Sequence, residues 1–139
     1  IALTPSDEIN RLAVEQFLPT FGRAHLFRLP PSSQKLKDVH HAGRILFADD
    51  LDAEELRNRL QAGARLRATK LTEQFGPEQY SEQYGESARP LFLITPEKKL
   101  SIVTTDNPAV LKAGLTVLSL IHEPSTAPAI DQEAPAELP

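Results

Sequence analysis

Cysteine, methionine and tryptophan are all absent from the 139 residues, and glycine occurs only six times. Without cysteine the chain has no disulfide, no thiolate metal site and no cysteine nucleophile. Its scattered glycines build neither a G-x-G-x-x-G turn nor a Walker phosphate loop. Long apolar runs are lacking too. The strongest, Leu115 to Ile121, holds seven residues with Thr116 and Ser119 among them, whereas a membrane-spanning helix needs about 20. No positively charged start leads into an apolar signal core. A basic excess is also missing: net charge is −4, and from Glu123 onward there are four acids and no base, leaving 15 charges of each sign in residues 1–122. Nucleic-acid binding relies on a basic stripe that releases phosphate counterions. The cluster Arg57, Arg59, Arg65, Arg67 and Lys70 is too small for that, and no nucleic-acid partner is expected.

What is present is a globular mixture, 40% hydrophobic and 24% charged, long enough to bury roughly two-thirds of its unfolded surface. The apolar stub Ile1-Ala2-Leu3 runs straight into Thr4-Pro5-Ser6-Asp7-Glu8, a helix start, so a strand is expected at residue 1 and the chain reads as a piece of a longer protein. Thr4 is expected as N-cap, with Pro5 in the first turn and Asp7 completing an approximate capping box. Ile9, Leu12, Ala13, Phe17 and Phe21 then fall near one face. Pro19 is expected to kink or end the helix and Gly22 to supply a left-handed exit. Ala24 to Leu29 reads as a short strand stopped by Pro30-Pro31. Strand, helical crossover and strand suit a right-handed parallel unit, which cannot stand alone and should leave apolar area exposed around residues 1–30.

Residues 32–42 read as a linker, after which Arg44 to Ala48 restarts regular structure. Asp52 caps a second helix with Glu55 three residues on, Leu56 and Leu60 form its apolar stripe, and Gly63 stops it. A strand over Ala64 to Leu71 and a short helix over Pro77 to Tyr84 follow. Leu91 to Ile94 and Leu100 to Val103 form a hairpin, Asn107-Pro108 opens a brief helical turn ending at Gly114, and Leu115 to Ile121 is the last strand. The fold class is α/β (α+β): a partial Rossmann-like βαβ unit over 1–31, a linker over 32–42, a small mixed-sheet α/β domain over 43–123 with helices and a C-terminal hairpin and strand, and a disordered acidic Pro/Ala tail over 124–139.

Chemistry-bearing residues are few. His40 and His41 beside Asp38 and Asp49-Asp50 suggest a metal site, yet adjacent histidines in an extended segment point to opposite sides, so a solvated linker is the stronger reading and no metal is expected. His25 and His122 read as packed histidines without a Ser or Asp partner. The pairs Asp49-Asp50 and Glu54-Glu55 are explained by helix-start electrostatics. Arg65, Arg67 and Thr69 alternate on one strand face, a candidate anion-binding strip weighed against a solvated sheet face. Tyr80 and Tyr84, four apart on a helix, should pack. No catalytic constellation is visible, and the chain is read as a non-enzyme.

Two stretches resemble known families. Residues 3–29, above all Thr4-Pro5-Ser6-Asp7-Glu8-Ile9-Asn10, look like the later half of the Rossmann-type nucleotide-binding domain in regulators of potassium transport, the RCK or Trk N-terminal family. Residues 43–121 resemble the soluble region that follows the membrane part of bacterial cation:proton antiporters, through Gly43-Arg44-Ile45-Leu46-Phe47, Arg67 to Phe75 and Pro90-Leu91-Phe92. The resemblance implies that Thr4, Asp7 and Asn10 edge a nucleotide crevice as cofactor-binding residues. The glycine-rich loop and ribose-binding acid of that crevice would precede Ile1, so this piece holds no cofactor of its own and a nucleotide belongs to the full-length parent. It further implies a regulatory region of a monovalent cation:proton antiporter, exchanging sodium or potassium ions for protons, on the cytoplasmic side of the bacterial inner membrane. Its expected partners are the membrane-embedded antiporter domain of the same chain and a second copy in a homodimer. A non-catalytic interaction module and the remnant of a nucleotide-dependent enzyme are the alternatives.

Overall fold

Residues 1–32 and 43–122 are described by the computed structural model; the histidine pair His40-His41, most of the expected linker and the acidic tail lie outside them. Among the described residues the chain is mixed α/β, with three helices, a small parallel sheet and a four-stranded antiparallel sheet.

Helix α1 spans Asp7–Phe21 and is capped by Ser6, not Thr4. Ser6 is extended and its hydroxyl accepts from the Ile9 N–H at 3.3 Å. Thr4 is spent elsewhere, because its hydroxyl donates to Asn10 Oδ1 at 2.8 Å. Pro19 does not end the helix: it stands inside the last turn without an N–H to give the Glu15 carbonyl, and α1 closes two residues after it, at Phe21, with Gly22 as cap at φ 72°. The expected strand over Ala24 to Leu29 is shorter. Arg23–His25 form a 3₁₀ turn, and strand β1 is Phe27–Arg28.

Ala2 bridges Arg28 in parallel, and strand β2, Arg44–Ile45, pairs with β1 in parallel on its other side. In place of the strand expected at residue 1 there is a single parallel bridge at Ala2; α1 and the parallel partner β1 follow, and β2 belongs to the same sheet. Gly43 makes this approach feasible. Its φ is 87°, and a Cβ there would lie 2.8 Å from Val14 Cγ1 of α1, so any side chain would both strain the backbone and collide with the helix.

The antiparallel sheet has the order β3-β6-β4-β5, from β3 (Arg65–Lys70), β4 (Ala88–Ile94), β5 (Leu100–Ile102) and β6 (Thr116–Ile121). The expected hairpin is β4 and β5, closed by the Lys98 N–H to Thr95 carbonyl bond at 2.9 Å. Helix α2, Ala53–Gln61, starts on Asp52, whose carboxylate accepts from the Glu55 N–H at 2.9 Å. Helix α3, Pro77–Tyr84, has the bounds read from sequence, with the Gly76 N–H held by Gln79 Oε1. The helical turn expected from Asn107 to Gly114 does not form. Instead Thr104 and Asn107 bond each other in a tight loop, the Asn107 N–H to the Thr104 carbonyl at 3.1 Å and the Thr104 N–H to the Asn107 carbonyl at 3.2 Å, so the first acceptor a helix would need is taken.

Strand β6 lies inside the sheet and alternates its side chains between two cores. Leu120 joins Leu29, Leu46, Leu51 and Leu91 on one face. Val117 and Ile121 join Leu71, Tyr80 and Ala88 on the other. The two sheets are stitched at Val103, whose N–H donates to the Leu91 carbonyl at 3.0 Å while its own carbonyl accepts from Phe47 N–H at 2.8 Å. The first core thus joins Leu29, beside the parallel sheet, to Leu46, Leu51, Leu91 and Leu120.

Helix α1 packs on a different face from the one its apolar spacing indicated. Asn10 and Val14 are its buried residues, while Ile9, Leu12, Phe17 and Phe21 are each about half exposed. With only a dipeptide strand beneath it, the helix has too little sheet to cover its remaining apolar side. Among the described residues, no helix is long and apolar enough to cross a membrane.

Candidate functional site: an apolar groove at the strand ends

Parallel strands present their carboxyl ends to one side of a sheet, and ligands of such sheets bind beyond those ends. Here the chain leaves the three parallel segments at Leu3, Leu29 and Phe47, and all three residues line one groove of about 610 Å³. That volume lies within the range of small-molecule sites. Pro5 closes one end, Leu91 and Phe92 of β4 contribute from the antiparallel sheet, and α2 supplies the opposite wall with Ala53, Leu56 and Leu60. The spacing of those three on α2 follows the helix period: Ala53 and Leu56 of this stripe pack against the first core, and with the exposed Leu60 they also line the groove.

Two polar side chains, Arg57 and Gln61, also line it. They stand four apart on α2, one above the other. Arg57 is exposed and makes no ion pair among the described residues. At the groove floor Phe47 adopts φ 65°, a left-handed conformation that costs a non-glycine residue about 1 kcal/mol or more. It is held there by its bond to Val103 and by an edge-on contact with Phe92, ring centroids 5.8 Å apart.

The residues singled out in the sequence are distributed differently. Thr4 and Asn10 are brought together and face each other. Asn10 Oδ1 accepts from the Thr4 N–H at 2.9 Å and the Thr4 hydroxyl, and Asn10 Nδ2 donates to the Thr4 carbonyl at 2.9 Å. Asp7 accepts from the Ser32 N–H at 3.0 Å. Thr4 and Asn10 therefore tie the turn into α1 together, beside the groove that Leu3 and Pro5 line, while Asp7 fastens the start of α1 to the segment after β1. The Arg65, Arg67 and Thr69 face lies on edge strand β3 beside α3: the Arg67 guanidinium stands 5.9 Å from the Tyr84 ring centroid, Arg65 donates to the Ala64 carbonyl, and Thr69 Oγ1 is buried without a hydrogen-bond partner. Tyr80 and Tyr84 pack at 5.1 Å between centroids. His25 is exposed, not packed, with Nδ1 at the Phe21 carbonyl, and His122 is exposed as well. Of the carboxylate pairs, Asp50 meets Arg89, and this contact holds its carboxyl below the usual carboxylate range. No group of three or more His, Cys, Asp or Glu that could hold a metal occurs among the described residues.

Sequence reasoning missed two buried polar features. Arg28 is 1% exposed, with Nε and Nη2 unpartnered. Burial pushes its pKa below the usual guanidinium range, against the fields of Asp7 and Glu15 on α1. The Tyr80 hydroxyl meets the fully buried Ser119 Oγ, and burial pushes the phenol up. Neither carries a local sequence signal. A third cluster joins the sheets: Arg44 donates to Thr104 Oγ1 at 3.1 Å and pairs with Asp106 at 3.3 Å, while the Thr104 hydroxyl donates to Asp106 at 2.7 Å. The Thr104 bond, ahead of Arg44, holds the Asp106 carboxyl low. No family model matches the chain, and no curated protein or solved structure is significantly similar to it.

Proposed function

We propose that this chain is a non-catalytic regulatory region of a monovalent cation:proton antiporter, sensing a ligand and contacting a second copy of itself. The parallel unit formed by Ala2, α1, β1 and β2 carries the reading, since it is the arrangement that a Rossmann-like tail end requires and it opens on a groove at its strand ends. The Thr4 to Asn10 motif that resembles the potassium-transport regulators has a defined job there, setting the turn between strand and α1. The exposed side chains of Ile9, Leu12, Phe17 and Phe21 support self-association, because a monomer rarely leaves so many large apolar groups together on one helix. In the membrane, the transporter domain of the same parent would receive the signal.

The test is transport in everted membrane vesicles, comparing the full-length antiporter with a form lacking residues 1–122. The deletion is expected to leave exchange intact and change its dependence on pH or on ligand. Identical profiles for the two forms would overturn the proposal. An interaction module with no ligand is the second reading, favoured by the α1 face alone. Light scattering separates them: self-association abolished by Leu12→Glu with Phe17→Glu, in a chain whose groove takes no small molecule, supports the module.

A further inference from the structure

We infer that the groove at the strand ends binds a small amphipathic carboxylate, an acid with a medium-length aliphatic or aromatic body. The inference deepens the ligand-sensing part of the proposed function and rests on it for its biological purpose. The binding itself concerns only this chain.

The lining decides the ligand class. Leu3, Leu29, Phe47, Leu56, Leu60 and Leu91 make the groove apolar along its length, which favours a hydrocarbon body and gives no partners to a sugar or a base edge. Its polar contribution is confined to Arg57 and Gln61, one helical turn apart on α2. A guanidinium fork offers parallel N–H donors matched to a carboxylate, and the neighbouring amide adds one more donor. Arg57 is exposed and carries no ion pair among the described residues, so no internal acid has to be displaced. One cation fits a monoanion. A nucleotide polyphosphate would bring several charges to a place with one.

A second, independent observation marks the same place. Phe47 holds a left-handed backbone in the groove floor, and strain of this kind is retained where the surroundings impose it, often at ligand sites. Its ring is thereby presented edge-on to Phe92, and both rings line the groove. An aliphatic or aromatic body laid along Leu56 and Leu60 contacts this pair, with its carboxylate emerging beside Arg57.

The experiment uses the full 139-residue chain, labelled for amide NMR and titrated with octanoate and, separately, octan-1-ol. Octanoate is expected to produce saturable shifts at Leu29, Phe47, Leu56 and Leu91, with a Kd of about 1 mM or below. Octanol is expected to bind at least about fivefold more weakly, since it lacks the charge-assisted bonds. Arg57→Gln, at an exposed position, should erase that difference, and Leu60→Trp should block both ligands. Equal affinities for acid and alcohol, unchanged octanoate binding in Arg57→Gln, or shifts confined to the exposed face of α1 would each overturn the inference. The absence of saturation by about 10 mM would do the same. None of these results touches the vesicle test, so a failure here remains distinct from a failure of the regulatory reading.

Discussion

Replacing Asn10 with alanine tests whether the Thr4 to Asn10 motif is architecture. Asn10 is 2% exposed and its amide makes three bonds to one residue: the Thr4 N–H and hydroxyl both donate to Oδ1, and Nδ2 donates to the Thr4 carbonyl. A net hydrogen bond contributes about 1 kcal/mol, and each buried group left without a partner costs about 1 to 3 kcal/mol. Thr4 is half-buried, so water recovers part of what is lost. The sum is a destabilisation of roughly 2–4 kcal/mol, and for a chain of this size that lowers Tm by about 6–15 °C. Thr4→Ser keeps the hydroxyl and all three bonds, and should shift Tm by only a few degrees. Thermal unfolding followed by circular dichroism at neutral pH reads both. A loss below about 2 °C in Asn10→Ala would refute the structural role and return these residues to the crevice edge that the family resemblance implies.

Three further outcomes follow from the buried and paired groups. Tyr80→Phe leaves the buried Ser119 hydroxyl without its partner and should cost about 1–2 kcal/mol in denaturant unfolding; adding Ser119→Ala should recover part of it, and strict additivity would show that the pair does not interact. Arg28→Met removes a buried guanidinium with two unpartnered nitrogens and should stabilise the chain by about 1–3 kcal/mol; a destabilisation would mean that attraction from Asp7 and Glu15 outweighs desolvation. The Asp50 carboxyl is held low by Arg89, so its contribution is complete above the unfolded-state pKa of about 4 and fades as pH falls through the lower folded value. The Tm gap between wild type and Asp50→Asn should therefore be present at about pH 7 and shrink progressively as pH falls below about 4, and a gap constant over that range would refute the pairing.

Much of the fold was legible because it is written locally. Asp52 with Glu55, Pro77 after Gly76, and the apolar pairs around Thr95 to Lys99 are short-range signals, and α2, α3 and the hairpin stand where they indicated. Two of the failures share one cause, competition for the same atom. Thr4 was expected as the cap, and Asn10, six residues away, claimed its hydroxyl, leaving Ser6 to cap α1. Asn107-Pro108 offered a helix start, and the Thr104 N–H took the Asn107 carbonyl that such a helix would use first. The candidate site was less legible, since its walls come from three elements remote in sequence: Leu3 and Leu29 from the parallel strands, Leu91 from β4, Leu56 and Arg57 from α2. The apolar stripe on α2 was visible, but no local pattern says whether a stripe meets a core or an open groove.

That construction gives the groove its leverage. An occupant touching Leu3, Leu56 and Leu91 together contacts the parallel unit, α2 and the antiparallel sheet, three bodies otherwise joined mainly through Val103, the Arg44 to Asp106 cluster and the core around Leu46. A ligand shifts an equilibrium only by its differential affinity for the two states, and here the difference arises if the walls separate, because each wall then contributes alone. The Thr4 to Asn10 bonds hold Pro5 at the groove and fix the start of α1. The Leu3 to Pro5 segment lines the groove and runs into the helix that exposes Ile9, Leu12, Phe17 and Phe21. If the chain binds a ligand and a second copy as proposed, coupling between them, typically about 1–3 kcal/mol, would run through that segment into the start of α1.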